Sequence, residues 1–303
     1  MNILTKHNAK KFISAIIDFL PLKIANDKYV PYFYVRPFRY ITLITPIQKL
    51  RIKYWTSIAS NYQPFKPFYC HKSRKKAIAN ESDLEIGIKN IYENGYTICS
   101  NFLEQEDVKS IQNYTDQINL DPNTKSGFTV KNLPSEISNK ILGKLKTFHS
   151  HFFPNADFSK NYPSFIIRID YSKTGIDPAP ITANWHVDRF IPTLNAIYFP
   201  EGSDWGSFEK DIGNPVIDDK YIDYFSKFRQ STSDITNLRE SEYTDLNATK
   251  KLFDLPPNSL LIGTHHMQHR RSPYSIPGKR IAIFIDFYDV LPRRDLKKYA
   301  SKV

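Results

Sequence analysis

The sequence predicts an α+β chain with a mainly β core and helices gathered ahead of it. Three observations point there. Between residues 82 and 148 the apolar side chains recur at helical spacing. From Ser164 onward they fall into short runs with the period of two that marks strands. A polar stretch, 211–250, then interrupts the strand-rich part as an insertion. Helices followed by strands in one chain build a single β core with helices flanking it.

The helical part begins with Ser82-Asp83-Leu84-Glu85, a capping box in which the serine caps and Glu85 reaches back. Leu84, Ile88, Ile91 and Tyr92 share a face, and Gly95 closes that helix. A strand is expected at Tyr96 to Cys99, then a helix from Glu104 to Ile118 whose acidic start suits the helix dipole. A third helix is expected from Ser135 to Phe148, with Ile137, Ile141, Leu145 and Phe148 on one side. In the strand Phe165 to Tyr171, Arg168 and Asp170 point to the face opposite Ile167 and Ile169. Further strands read at His186 to Phe190, Leu194 to Phe199, Trp205 to Phe208, Leu260 to Ile262 and Arg280 to Phe287. Within 211–250, Tyr221, Tyr224, Phe225 and Phe228 lie at helical spacing, which makes the insertion a candidate lid or a surface decoration.

Composition bounds the function. The chain has 303 residues, is 41% hydrophobic and carries 21 Phe and 19 Tyr, enough apolar area for a core. Cys70 and Cys99 make no disulfide framework, which fits a reducing compartment. No run of eighteen apolar residues occurs, so no membrane span is expected. Lys6, Lys10 and Lys11 precede an apolar run, but Asp18 and Pro21 break it and no cleavage site follows, so a cytoplasmic location is expected. Residues 1–80 hold fifteen Lys and Arg against Asp18 and Asp27, a net +13, which leaves −2 for the rest of a chain of net +11. This extension interleaves cations with aromatics such as Tyr34, Phe38, Tyr54 and Trp55. It suits packing on the core with solvated lysines, or peripheral contact with an anionic membrane. Single-stranded nucleic acid is a further, less favoured partner. The domain division expected is therefore 1–80 and 81–303.

The chemistry centres on Asn184-Trp185-His186-Val187-Asp188-Arg189. A histidine and an aspartate one residue apart on a strand project to the same side, within reach of one ion. A second group, His265, His266 and His269, follows in a strand–turn–strand segment, and Arg280 lies eleven positions beyond His269. Two histidines and one carboxylate on one face of an ion form the facial triad of non-haem Fe(II) sites. An arginine on the next strand can hold the far carboxylate of a keto acid in a bidentate pair. Position alone leaves the three distal histidines in competition.

His186-x-Asp188, a distal His269 and Arg280 together resemble the Fe(II)/2-oxoglutarate-dependent dioxygenases, nearest to the phytanoyl-CoA and prolyl hydroxylase-like branches. Phe165 to Tyr171 with Gly175, and Gly95 to Ile98 followed by Phe102-Leu103, are similar to that family's upstream segments. The likeness spans Leu84 to Val290. It implies a double-stranded β-helix, a cupin-like jelly roll, with flanking helices. It also implies Fe(II) on His186, Asp188 and His269, with 2-oxoglutarate and O2 as cosubstrates. The His269-Arg270 dipeptide and the distance to Arg280 favour His269 as distal ligand, and Tyr171 matches a tyrosine that touches 2-oxoglutarate. Two departures stand out. Ala282 occupies a position that bears serine in some members, and Asp286 replaces the second arginine of the nucleic-acid demethylase branch. The implied activity is hydroxylation of a small-molecule or lipid-linked substrate, with release of succinate and CO2. The competing readings are a non-catalytic jelly-roll module for sugar or lipid, and a nucleic-acid-directed oxygenase.

Overall fold

The computed structural model describes residues 21–23, 29–31, 49, 53 and 66–69, and residues 86–288 apart from 121–124, 154–163, 178–184, 188–192, 204–206, 212–235, 239–249, 265–267 and 274. Most of the basic extension, the capping box and the aromatic run at 221–228 therefore lie outside the described residues. Within the extension, β1 (Pro21–Lys23) pairs antiparallel with β2 (Tyr29–Pro31). The short α1 (Lys66–Tyr69) sends Phe68 into the core, where its ring stacks on Tyr92 at 5.4 Å. That segment of the extension is packed on the core, as one reading of the sequence expected.

The helices follow the apolar periodicity. α2 (Ile86–Asn94) buries Ile88, Ile91 and Tyr92, and ends at Gly95, whose φ of 75° lets its N–H bond the Ile91 carbonyl at 2.8 Å. β3 (Tyr96–Ser100) leads to α3 (Gln105–Asp116), which carries Glu106 and Asp107 in its first turn. α4 (Ser135–Phe152) buries Ile137, Ile141 and Leu145 and runs past the expected end at Phe148, because His149 and Phe152 continue the same buried face. Between α3 and α4 lies β4 (Ser126–Asn132), a strand the sequence reading did not anticipate. Its seven residues are largely exposed, so the pattern lacks the clean apolar alternation of a covered strand.

The remaining strands are β5 (Ser164–Ser172), β6 (Trp185–Val187), β7 (Thr193–Phe199), β8 (Phe208–Asp211), β9 (Thr236–Leu238), β10 (Lys250–Phe253), β11 (Ser259–Thr264), β12 (His269–Arg271) and β13 (Gly278–Tyr288). They form two antiparallel sheets with the orders β3-β11-β7-β13-β5-β4 and β10-β8-β12-β6-β9. One face of the larger sheet, with Ile167, Ile169, Ala196 and Ile283, packs on the helices. Its other face, with Ile197, Phe199, Leu261 and Ala282, meets Phe253 of the smaller sheet. Burial on both faces explains the continuous apolar runs in β11 and β13. β9 lies within the stretch read as an insertion and β10 begins at its last residue; both are strands of the smaller sheet, one beside β6 and the other beside β8. Their three and four residues are too short and too polar to announce themselves. Among the described residues no helix is long and apolar enough to cross a membrane.

Asn258 locks the helical layer to the larger sheet. It enters β11 with φ 61°, a left-handed conformation that asparagine tolerates better than most residues. Its Oδ1 accepts from the Leu103 N–H at 2.9 Å and the Tyr198 hydroxyl at 3.0 Å, while Nδ2 donates to the Leu103 carbonyl at 2.8 Å. Burial, with a smaller contribution from Asp107, raises the Tyr198 pKa, so the hydroxyl stays a neutral donor. Asn258→Ala should lower unfolding free energy by about 3 kcal/mol, since it strands buried partners and strains the backbone. Asn258→Gly should be milder by about 1 kcal/mol, because glycine accepts the positive φ. Urea denaturation of both variants tests this; stability close to wild type in Asn258→Ala contradicts the assigned role.

Candidate active site

The smaller sheet supplies a row of polar side chains. His269 of β12 is the ladder partner of His186 on β6 and of Lys210 on β8. Residues directly opposite in a ladder share a face, and the face is identified by Lys210. Its ammonium crosses to the larger sheet and donates to the carbonyls of Gly95 at 3.1 Å and Thr264 at 3.3 Å. His186 and His269 therefore point into the space between the sheets. Their ring centres lie 4.5 Å apart with planes inclined by 58°. With metal–nitrogen bonds of about 2.1 Å, two imidazoles on adjacent positions of one ion place their centres roughly 4.5 Å apart. The pair thus fits two neighbouring ligand positions.

The reverse face of the same strands fixes the row. Trp185 is fully buried, with the Arg270 guanidinium 4.8 Å from its ring centre. Arg270 Nε donates to Glu209 Oε2 at 2.6 Å, and the Ser272 hydroxyl donates to Glu209 Oε1 at 2.9 Å. Arg271, on the inner face beside His269, pairs with Asp177 from the loop after β5. Asp188, His265 and His266 lie outside the described residues. Among the described residues no three His, Cys, Asp or Glu side chains converge as a metal site.

The larger sheet supplies the facing wall. Arg280 on β13 is the ladder partner of Asp170 on β5, and Ala282 is the partner of Arg168. Asp170 is fully buried; its Oδ2 accepts from Arg280 Nη2 at 3.3 Å and its Oδ1 accepts from Arg168 Nε at 2.8 Å. Alternation along β5 puts Tyr171 on the other face, with Ile167 and Ile169, where its hydroxyl lies against Gly127. The strand thus brings Asp170 and Arg168 to Arg280, and does not bring Tyr171 there. Arg168 and Asp170 were visible in the sequence as a polar face, but nothing in the pattern tied them to Arg280. Lys210 gave no signal at all.

No family model matches the chain, and no curated protein matches it. Solved structures that resemble it are Fe/2-oxoglutarate-dependent oxygenases. A Pseudomonas putida prolyl-4-hydroxylase is 12% identical with a TM-score of 0.40, covering 67% of this chain and 96% of its own. The epimerase SnoN, in complex with Fe3+, alpha ketoglutarate and nogalamycin RO, is 12% identical with a TM-score of 0.42, covering 73% and 85%. HygX from Streptomyces hygroscopicus, with nickel, 2-oxoglutarate and hygromycin B bound, is 11% identical with a TM-score of 0.43, covering 68% and 87%. These likenesses are distant, and the placement of each site residue rests on the geometry above.

Lys210 depends on Gly263 of β11. A Cβ there would overlap the Lys210 ammonium and come within 3.1 Å of the Gly95 carbonyl oxygen. Gly263→Ala should destabilise the fold by about 1–3 kcal/mol through overpacking. Gly143→Ala, in α4 where a Cβ meets nothing within 4 Å, should stabilise it by about 0.5–1 kcal/mol. Thermal unfolding of both, repeated in a Lys210→Met background, tests the contact. The Gly263→Ala cost should shrink there by coupling, and an unchanged cost refutes the Lys210 contact as its cause.

Proposed function

We propose that this chain is an Fe(II)- and 2-oxoglutarate-dependent dioxygenase with a double-stranded β-helix core. The observation that carries the reading is the ladder pairing of His186 with His269, ring centres 4.5 Å apart on the inner face of one sheet. Asp188 follows two residues after His186 and completes two histidines and a carboxylate. When bound, Fe(II) supplies O2 activation coupled to oxidative loss of CO2 from 2-oxoglutarate. The chain supplies position and environment. His186, Asp188 and His269 hold the ion from one side. Arg280, five per cent exposed and held by Asp170, offers a fixed guanidinium to the far carboxylate of the keto acid. Ile197, Leu261, Ala282 and Phe253 keep the inter-sheet space apolar and exclude water. The products are succinate, CO2 and a hydroxylated small-molecule or lipid-linked substrate.

Purified protein titrated anaerobically with Fe(II) should bind one ion, and aerobic incubation with 2-oxoglutarate should yield succinate. His186→Ala, Asp188→Ala and His269→Ala should each abolish both, whereas His265→Ala and His266→Ala should retain iron. Retention by His269→Ala with loss in His265→Ala moves the distal ligand to His265. A protein that binds no iron, or holds iron and never forms succinate, contradicts the proposal.

A further inference from the structure

Arg280 does not stand by itself on the larger sheet. Arg168 lies on the neighbouring strand of the same inner face, opposite Ala282, which is fully buried and contributes only a methyl group. The sequence places no hydroxyl at position 282, two residues after Arg280. Across the ladder from Ala282, Arg168 extends its guanidinium along the inner face to Asp170. Asp170 Oδ1 takes the Arg168 Nε hydrogen bond at 2.8 Å, and the Phe128 ring lies against the guanidinium at 4.5 Å. Arg168 Nη2 is also 2.8 Å from the same Oδ1 as an ion pair, but it is buried and makes no hydrogen bond. Nη2 carries two hydrogens, and one oxygen already taken by Nε cannot satisfy both; buried donors left incomplete in this way are costly and persist where a ligand completes them.

The three side chains Arg168, Asp170 and Arg280 sum to +1. One incoming carboxylate balances that charge and offers an acceptor to Arg168 Nη2. We infer that Arg168 is a second anchor for the far carboxylate of the 2-oxo acid, acting beside Arg280 and selecting a dicarboxylate over a monocarboxylate. This rests on the 2-oxoglutarate reading above and adds a binding residue to it. The alternative is that Arg168 only ties β5 to Asp170. The two roles differ in what they discriminate: an anchor reads the far carboxylate, while a structural tie affects every ligand alike.

The full chain, loaded with Mn(II) and kept free of O2, is titrated with 2-oxoglutarate and separately with pyruvate, a 2-oxo acid lacking the far carboxylate. Arg168→Met should weaken 2-oxoglutarate by about tenfold or more, the worth of one charge-assisted hydrogen bond. Pyruvate affinity should stay at the wild-type value, which also shows that the variant is folded. Arg168→Lys should recover only part of the loss, because an ammonium cannot reproduce the planar fork. Arg280→Met serves as the reference. If Arg280→Met loses 2-oxoglutarate and Arg168→Met does not, the second anchor is overturned while the functional reading stands. Equal losses for both 2-oxo acids in Arg168→Met also overturn it, in favour of the structural tie. A wild-type chain that holds Mn(II) but not 2-oxoglutarate overturns both.

Discussion

The pairing of β12 with β6 is the constraint on which the site depends. Those strands have three residues each, and a slip of one position would turn either imidazole to the wrong face. So few ladder bonds cannot set the register unaided. Side chains on both faces of the sheet supply the rest. Behind the strands, Arg270 is held between Glu209 and the Trp185 ring. In front, Lys210 spans the gap to the Gly95 and Thr264 carbonyls, the latter at the end of β11. The buried ammonium is admitted because its acceptors are fixed backbone groups and because Gly263 has no side chain in its path.

The larger sheet divides its labour by face. One face gives its isoleucines to the helices, and Asn258 ties the two layers where β11 begins. The other keeps a mainly apolar surface, interrupted by Arg168, Asp170 and Arg280. A buried cluster of this kind is a poor way to gain stability, since desolvating three charges offsets much of their attraction. On the proposed reading, the cluster on this inner wall serves to receive an anion. The apolar surroundings strengthen that attraction by lowering the local dielectric.

Much of this was legible in the sequence because period does not depend on tertiary context. The helices at Ile86–Asn94, Gln105–Asp116 and Ser135–Phe152 followed from their apolar spacing. The alternation of β5, which separates Arg168 and Asp170 from Ile167 and Ile169, was equally plain. What failed to show was pairing. β4, β9 and β10 are edge strands whose short or polar sequences carry little pattern, so the extent of both sheets was hidden. Tyr171 illustrates the same gap. Its match to a family tyrosine that touches 2-oxoglutarate suggested a ligand contact, but the ladder with β13 sets Asp170, one residue earlier, across from Arg280. Among the three distal histidines, ladder register identifies His269 as the partner of His186, information that linear spacing does not contain.

The central claim is that His186 and His269 hold one metal ion between the sheets. A crystal structure of the protein loaded with Fe(II) or Mn(II), with the ion located by anomalous scattering, tests it most directly. The account predicts a single peak about 2.1 Å from one ring nitrogen of each histidine, with an Asp188 oxygen in the same coordination sphere. A peak elsewhere, or one that touches His186 but leaves His269 unbound, contradicts it.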